Sequence, residues 1–142
     1  MNAQAFALHP QLLADTFPLR DLALSRVLLM DDARYTWLIL VPMRADLRDW
    51  IDLVHADQHR LTDEIDLCSH ALRTVARPDK LNLAALGNMV PQLHVHLIAR
   101  HVGDAAWPRP IWGVGERTRF SPDALATRKS SLLAELARHF ER

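Results

Sequence analysis

Cysteine and glycine are scarce in this chain of 142 residues, which has one cysteine, Cys68, and four glycines. A lone cysteine cannot close an intramolecular disulfide, so a disulfide-stapled secreted scaffold is excluded. Glycines only at positions 87, 103, 113 and 115 leave no G-x-G-x-x-G, no Walker loop and no G-x-S-x-G. Dinucleotide-binding, P-loop and serine-hydrolase chemistries therefore have no motif to rest on. Excess charge is missing too, since 17 Lys and Arg balance 17 Asp and Glu. A neutral chain has no overall field to attract nucleic acid or an anionic membrane, so neither is an expected partner. The longest apolar run, Trp37 to Val41, falls far short of the ~20 residues of a spanning helix. Met1 to Gln4 lacks the basic region and apolar core of a signal peptide, so the expected compartment is the cytoplasm.

What remains is the balance of an ordinary globular protein, 49% apolar and 24% charged, at a length that fits one domain over 1–142. A domain of this size buries roughly two-thirds of the surface its unfolded chain exposes and needs no structural metal. Asn2 to Ala14 has weak helical character broken by Pro10. Val27 to Met30 and Tyr35 to Val41, rich in β-branched and aromatic residues around the polar Asp31–Arg34, predict a hairpin ended by Pro42. A short helical stretch is expected over Asp46 to Leu53. Leu61, Ile65, Cys68, Leu72 and Val75, spaced 4, 3, 4 and 3, predict a core-facing helix from about Ala56 to Ala76, stopped at Arg77-Pro78. Two further strands are expected at Leu81–Leu86 and Leu93–Ala99. A loop-like stretch, Val102 to Gly115, follows them. Ser121-Pro122 has the pattern of a capped start for a last helix running to about Phe140. Strands grouped around one long helix predict an α+β domain with a mostly antiparallel sheet.

The chemistry concentrates in Gln92-Leu93-His94-Val95-His96-Leu97-Ile98. Strand alternation puts Gln92, His94 and His96 on one face, with the histidines about 7 Å apart, and Leu93, Val95 and Leu97 on the other. The second face is core. On the first, imidazole is the residue that stays mostly neutral and nucleophilic at pH 7 while a neighbour carries a proton. Two strand histidines with no role are the bland alternative. A metal pair is the other, but zinc needs three or four ligands, and neither Cys68 nor His55, His59 and His70 has a spacing that completes a set. No metal and no cofactor is therefore expected.

The same segment resembles the motif of the histidine triad (HIT) family, histidine-φ-histidine-φ-histidine-φ-φ, with Gln92 in the first place. The preceding Gly87-Asn88-Met89-Val90-Pro91, the strand bearing Asn82 and the aliphatic Leu38–Val41 before Pro42 agree with it. The resemblance spans residues 22 to 100. It implies a HIT-like α+β fold, one long helix on the sheet and an extra C-terminal helix. It also implies a homodimer that binds a nucleotide and cleaves it at the α-phosphate. The family's nucleophile passes to His94. His96 takes the place of the histidine that contacts the phosphate and helps with charge and proton transfer, and Gln92 can orient a neighbour by hydrogen bonding. Asn82 and Asn88 match phosphate-binding or orienting positions, and Asp31 lies near the ribose-binding position. Trp107 and Trp112 are candidates to stack on a base, with loop packing as the commoner role for such residues. The chain departs from the family at Gln92 and at Met89, where several members carry a hydroxyl. Those departures favour a second hypothesis, a non-catalytic nucleotide-binding or regulatory module, which ranks behind the enzyme; a plain structural dimer, which leaves His94 and His96 unexplained, ranks third.

Overall fold

Alternation along one central strand sorts the molecule into two cores. The computed structural model describes residues 5–140. In β3 (Thr36–Pro42) every residue is buried. Leu38 and Leu40 join Val27, Leu29, Leu61, Leu72 and Leu97 on one side of the sheet. Trp37, Ile39 and Val41 join Leu28, Tyr35, Ile98 and Ile111 on the other. Around it lie β1 (Thr16–Asp21), β2 (Ser25–Met30), β4 (Lys80–Ala84) and β5 (Val95–Arg100), in the order β1-β2-β3-β5-β4. All neighbours pair antiparallel. This is the α+β architecture the sequence predicts, with both strands of the expected 27–41 hairpin in place.

Helices cover one face. In α2 (His55–Ala76) Leu61, Cys68 and Leu72 of the predicted stripe are buried and Ile65 and Val75 pack partly buried on the same core, joined by Ala71, as 3- and 4-residue spacings keep one side of a helix apolar. It stops where Arg77 takes a left-handed conformation, φ 46°, ahead of Pro78, which cannot continue a helix. The C-terminal helix α3 (Pro122–Phe140) buries Leu132 and Leu136. Ser121 Oγ accepts the Ala124 N–H at 3.2 Å, as its capping pattern predicts. Among the described residues, no helix is long and apolar enough to cross a membrane.

The opposite face is closed by loops. The 101–115 segment brings Ala106 and Ile111 onto the second core, joined by Phe6, Leu8 and Leu12 from the N-terminal segment. Arg100, 1% exposed, anchors this cover. Its guanidinium donates to both Asp104 oxygens at 2.8 and 2.9 Å, and Asp104 also accepts the N–H groups of His101 and Trp107.

Three expectations need correction. Pro10 starts a helix, α1 (Pro10–Asp15), rather than breaking one, because the first helical turn does not need the N–H that proline lacks. Asn2 to Gln4 lie outside the described residues. Thr16–Asp21, unassigned from sequence, is edge strand β1. There Pro18 is tolerated next to an irregularity in the ladder between Pro18 and Arg20. Only a single 3₁₀ turn, Trp50–Asp52, forms within the stretch expected to be helical over 46–53.

Glu64 links the layers. From α2 its buried carboxylate accepts the Leu24 and Ser25 N–H groups at 2.8 and 2.9 Å. Glu64→Ala leaves two buried donors unpaired and is expected to cost about 3 kcal/mol, lowering the melting temperature by roughly 10 °C. Thermal unfolding of the variant measures this, and an unchanged midpoint would show that the β1–β2 turn does not depend on α2.

Candidate active site

The strand reading of the motif holds in part: β5 begins at Val95, so Gln92, Leu93 and His94, expected on the strand or its face, lie on the segment that leads into it. Leu93, Val95 and Leu97 enter the core under the helices, while His94 and His96 face the other way. They are 6% and 5% exposed, and Trp37 and Trp112 close over His96. His96, opposite Ile39 of β3 and Ala84 of β4, has its ring 5.6 Å from Trp37 and 5.0 Å from Trp112. The two histidine rings lie 4.8 Å apart and nearly perpendicular, at 71°.

Hydrogen bonding assigns the tautomers. The indole Nε1–H of Trp37 donates to His96 Nδ1 at 3.0 Å. An indole only donates, so His96 Nδ1 is an acceptor and the ring hydrogen sits on Nε2. Burial, with the neighbouring His94 adding to it, pushes His96 down to about 3. Near neutral pH His96 is a fixed hydrogen-bond donor and not a proton carrier. That narrows the charge and proton role expected for it.

His94 is the opposite case. Its Nδ1 is 2.6 Å from the Gln92 carbonyl oxygen. A carbonyl only accepts, so Nδ1 carries the hydrogen and Nε2 keeps its lone pair. Burial holds His94 below its ordinary value, the Gln92 carbonyl opposes that, and the charge of His9 lowers it further. The ring is therefore neutral at pH 7, and it lines a cavity of about 360 Å³ with Arg48, Trp50, Ile51, Leu86 and Gly87.

The remaining predicted residues are dispersed. Gln92 turns its side chain to the N-terminal segment, accepting the His9 N–H and donating to the Ala7 carbonyl, both at 2.9 Å. Asn82 pairs with Ile98, beyond the His96 position, and its Oδ1 accepts from Arg100 at 2.8 Å. It serves the Arg100–Asp104 anchor and does not line the His94 cavity, contrary to expectation. Asn88 is exposed on the loop beside Gly87. Asp31 is buried at the hairpin turn, accepting Arg119 and the Phe120 N–H at 2.9 and 3.0 Å. Its oxygens hold the 119–120 segment. Trp107 packs on the Arg100 guanidinium at 5.6 Å. Trp112, 36% exposed, touches His96 and lines a second cavity of about 180 Å³ with Met30, Arg34 and Trp37.

Sequence reasoning missed Trp37 and His9. A buried indole needs an acceptor, and Trp37 lies on the strand face that alternation gives it. Its partner, however, depends on β3 pairing with β5. Among the described residues, no group of three or more His, Cys, Asp or Glu is placed to hold a metal ion. Burial raises the Cys68 thiol to about 12, which makes it inert as a nucleophile.

Comparison with known proteins shows the family and the fold. A HIT domain model matches residues 14–103. A histidine triad protein of Bradyrhizobium japonicum is 48% identical, with a TM-score of 0.92 over 94% of this chain and 99% of its own. One from Marinobacter aquaeolei VT8 is 41% identical, with a TM-score of 0.92 over 95% and 98%. One from Sinorhizobium meliloti 1021 is 40% identical, with a TM-score of 0.89 over 92% and 96%. No curated protein matches.

The buried histidines make stability depend on pH. Because His96 binds its proton more weakly folded than unfolded, the unfolded chain holds more protons between pH 6.5 and about 3. Stability from this group is complete above pH 6.5 and is lost as pH falls toward 3. The slope from one such proton is at most about 1.4 kcal/mol per pH unit. His96→Gln, which keeps an acceptor for Trp37, is expected to remove that part of the slope. Denaturant titrations at several pH values decide it, and equal slopes in the two proteins would contradict the assignment.

Proposed function

The chain belongs to the HIT domain family, and on that premise we propose that it binds a nucleotide and cleaves it at the α-phosphate through a nucleotidyl intermediate on His94. The observation that carries this reading is the 2.6 Å approach of His94 Nδ1 to the Gln92 carbonyl, which reserves Nε2 for attack. As the Nε2–P bond forms, the bond from phosphorus to the leaving group breaks, and the leaving group departs with its electron pair. The imidazole becomes cationic, and the Gln92 carbonyl is already set against its Nδ1–H to stabilise that charge. His96, with its hydrogen on Nε2 beside the nucleophile, suits a phosphate oxygen as acceptor. Water then cleaves the N–P bond, releasing a nucleoside monophosphate and the neutral ring.

Trp112 and Trp37 border a cavity of about 180 Å³ whose aromatic wall suits a nucleobase. Asn88 stays in this reading as a phosphate contact from the loop. The substrate is a dinucleoside polyphosphate or a nucleoside phosphoramidate. A homodimer belongs to the same proposal, supported by the edge strand β4 with its exposed Leu83 and the neighbouring exposed Leu86. The second reading, a nucleotide-binding module without turnover, is favoured by one observation. The Gln92 side chain is committed to Ala7 and His9 and not to a reacting centre.

Turnover of an adenosine phosphoramidate and of diadenosine polyphosphates by wild type and His94→Ala separates the two. The substitution is expected to reduce hydrolysis at least about a thousandfold while nucleotide affinity is nearly kept. A variant that turns over like wild type would remove His94 as nucleophile. Wild-type binding without turnover would establish the module.

A further inference from the structure

We propose that Gln92 and the segment Ala7–His9 form one positioning unit for His94, in which the Gln92 side chain clamps the segment that carries His9 while the Gln92 main-chain oxygen orients the nucleophile. The unit is built from hydrogen bonds to a single residue. The Gln92 main-chain oxygen accepts the His94 Nδ1–H, so any movement of Gln92 moves the nucleophile. Its side chain is held at both ends, Oε1 accepting the His9 N–H and Nε2 donating to the Ala7 carbonyl, each at 2.9 Å.

An amide is suited to that task. Its acceptor and donor lie side by side, so it pairs with the C=O of one residue and the N–H of the next but one, as a neighbouring strand would. The ring nitrogens of a histidine diverge and cannot meet both groups. Glutamine in the first place of the motif thus exchanges a titrating group for a clamp, and the clamp seats the His9 main chain beside the residue that orients His94. The His9 ring is itself oriented. Its Nδ1 accepts the Gln11 N–H at 3.0 Å at the start of α1, which leaves the hydrogen on Nε2 when the ring is neutral. The segment is not a loose tail. Phe6, Leu8 and Leu12 pack into the second core, and Asp15 pairs with Arg117 at 3.2 Å. Its partner residues lie more than eighty positions away along the chain.

The titratable and charged groups around His94 are His96 two residues on, Arg48 and Asp49 on the cavity wall and His9 on the clamped segment. A positive charge on His9 opposes protonation of His94. His9 is a positioning residue in this account. Only the kinetic consequences rest on the proposed reaction.

The test is an NMR titration of the His94 ring in wild type, His9→Asn and Gln92→Ala. Asparagine keeps a helix-capping acceptor for α1 and removes the imidazole. The His94 midpoint is expected to rise by roughly half a pH unit in His9→Asn, with the melting temperature unchanged. In Gln92→Ala, amide exchange at His9 is expected to accelerate at least about tenfold, because its hydrogen bond is lost. An unmoved His94 midpoint in His9→Asn would reduce His9 to a cap for α1. Undiminished protection of His9 in Gln92→Ala would dismiss the clamp. A wild type inert toward nucleotides whose His94 midpoint still responds to His9 would overturn the proposed reaction and leave the positioning unit standing.

Discussion

The carbonyl of Gln92, 2.6 Å from His94 Nδ1, fixes which end of an imidazole can react, and the chemistry of the site follows from that constraint. A backbone carbonyl has no hydrogen to give, so the neutral ring has a single tautomer open to it. On His96 the constraint is reversed, because the indole of Trp37 has no lone pair to offer and forces the hydrogen to the far nitrogen. Two chemically identical side chains, two residues apart, are thereby made into an acceptor and a donor. Neither outcome needs a metal or a charged neighbour. Both need the rings to be buried and their partners to be immobile.

Immobility is supplied from outside the motif. The sheet that carries the histidines is covered on both faces, by α2 and α3 on one and by loops and the N-terminal segment on the other. The loop cover would be costly to hold without fixed attachments. The Arg100–Asp104 pair, with both side chains nearly buried, is one. Arg100 holds the Asp104 carboxyl well below the usual carboxylate range, so that attachment survives mild acid. Asp31 and Asp32 are others, gathering Arg119, Phe120, Arg34 and Thr118 at the hairpin turn. Asp31, which the sequence places near a ribose-binding position, binds in the folded chain the Arg119 guanidinium and the Phe120 backbone N–H.

That contrast marks the limit of what could be read from the sequence. The histidine face was legible because alternation on a strand is strictly two-residue, and the α2 stripe was legible because its spacing is long and regular. Strand β1 escaped because Pro18 and the polar Arg20 and Asp21 mask a pairing that β2 imposes. Asn82 was placed on the correct strand, yet its neighbour was set by the β4–β5 register, which puts it beside Ile98 and within reach of Arg100. The roles of Gln92, His9 and Trp37 depend on contacts between segments far apart in sequence, and no local pattern announces them.

The assignment of opposite tautomers to His94 and His96 carries the account, and ring-nitrogen chemical shifts of the protein labelled with ¹⁵N at pH 7 test it directly. His94 is expected with hydrogen on Nδ1 and a bare Nε2, and His96 with hydrogen on Nε2 and a bare, hydrogen-bonded Nδ1. Finding His94 with its hydrogen on Nε2, or either ring doubly protonated at that pH, would contradict it.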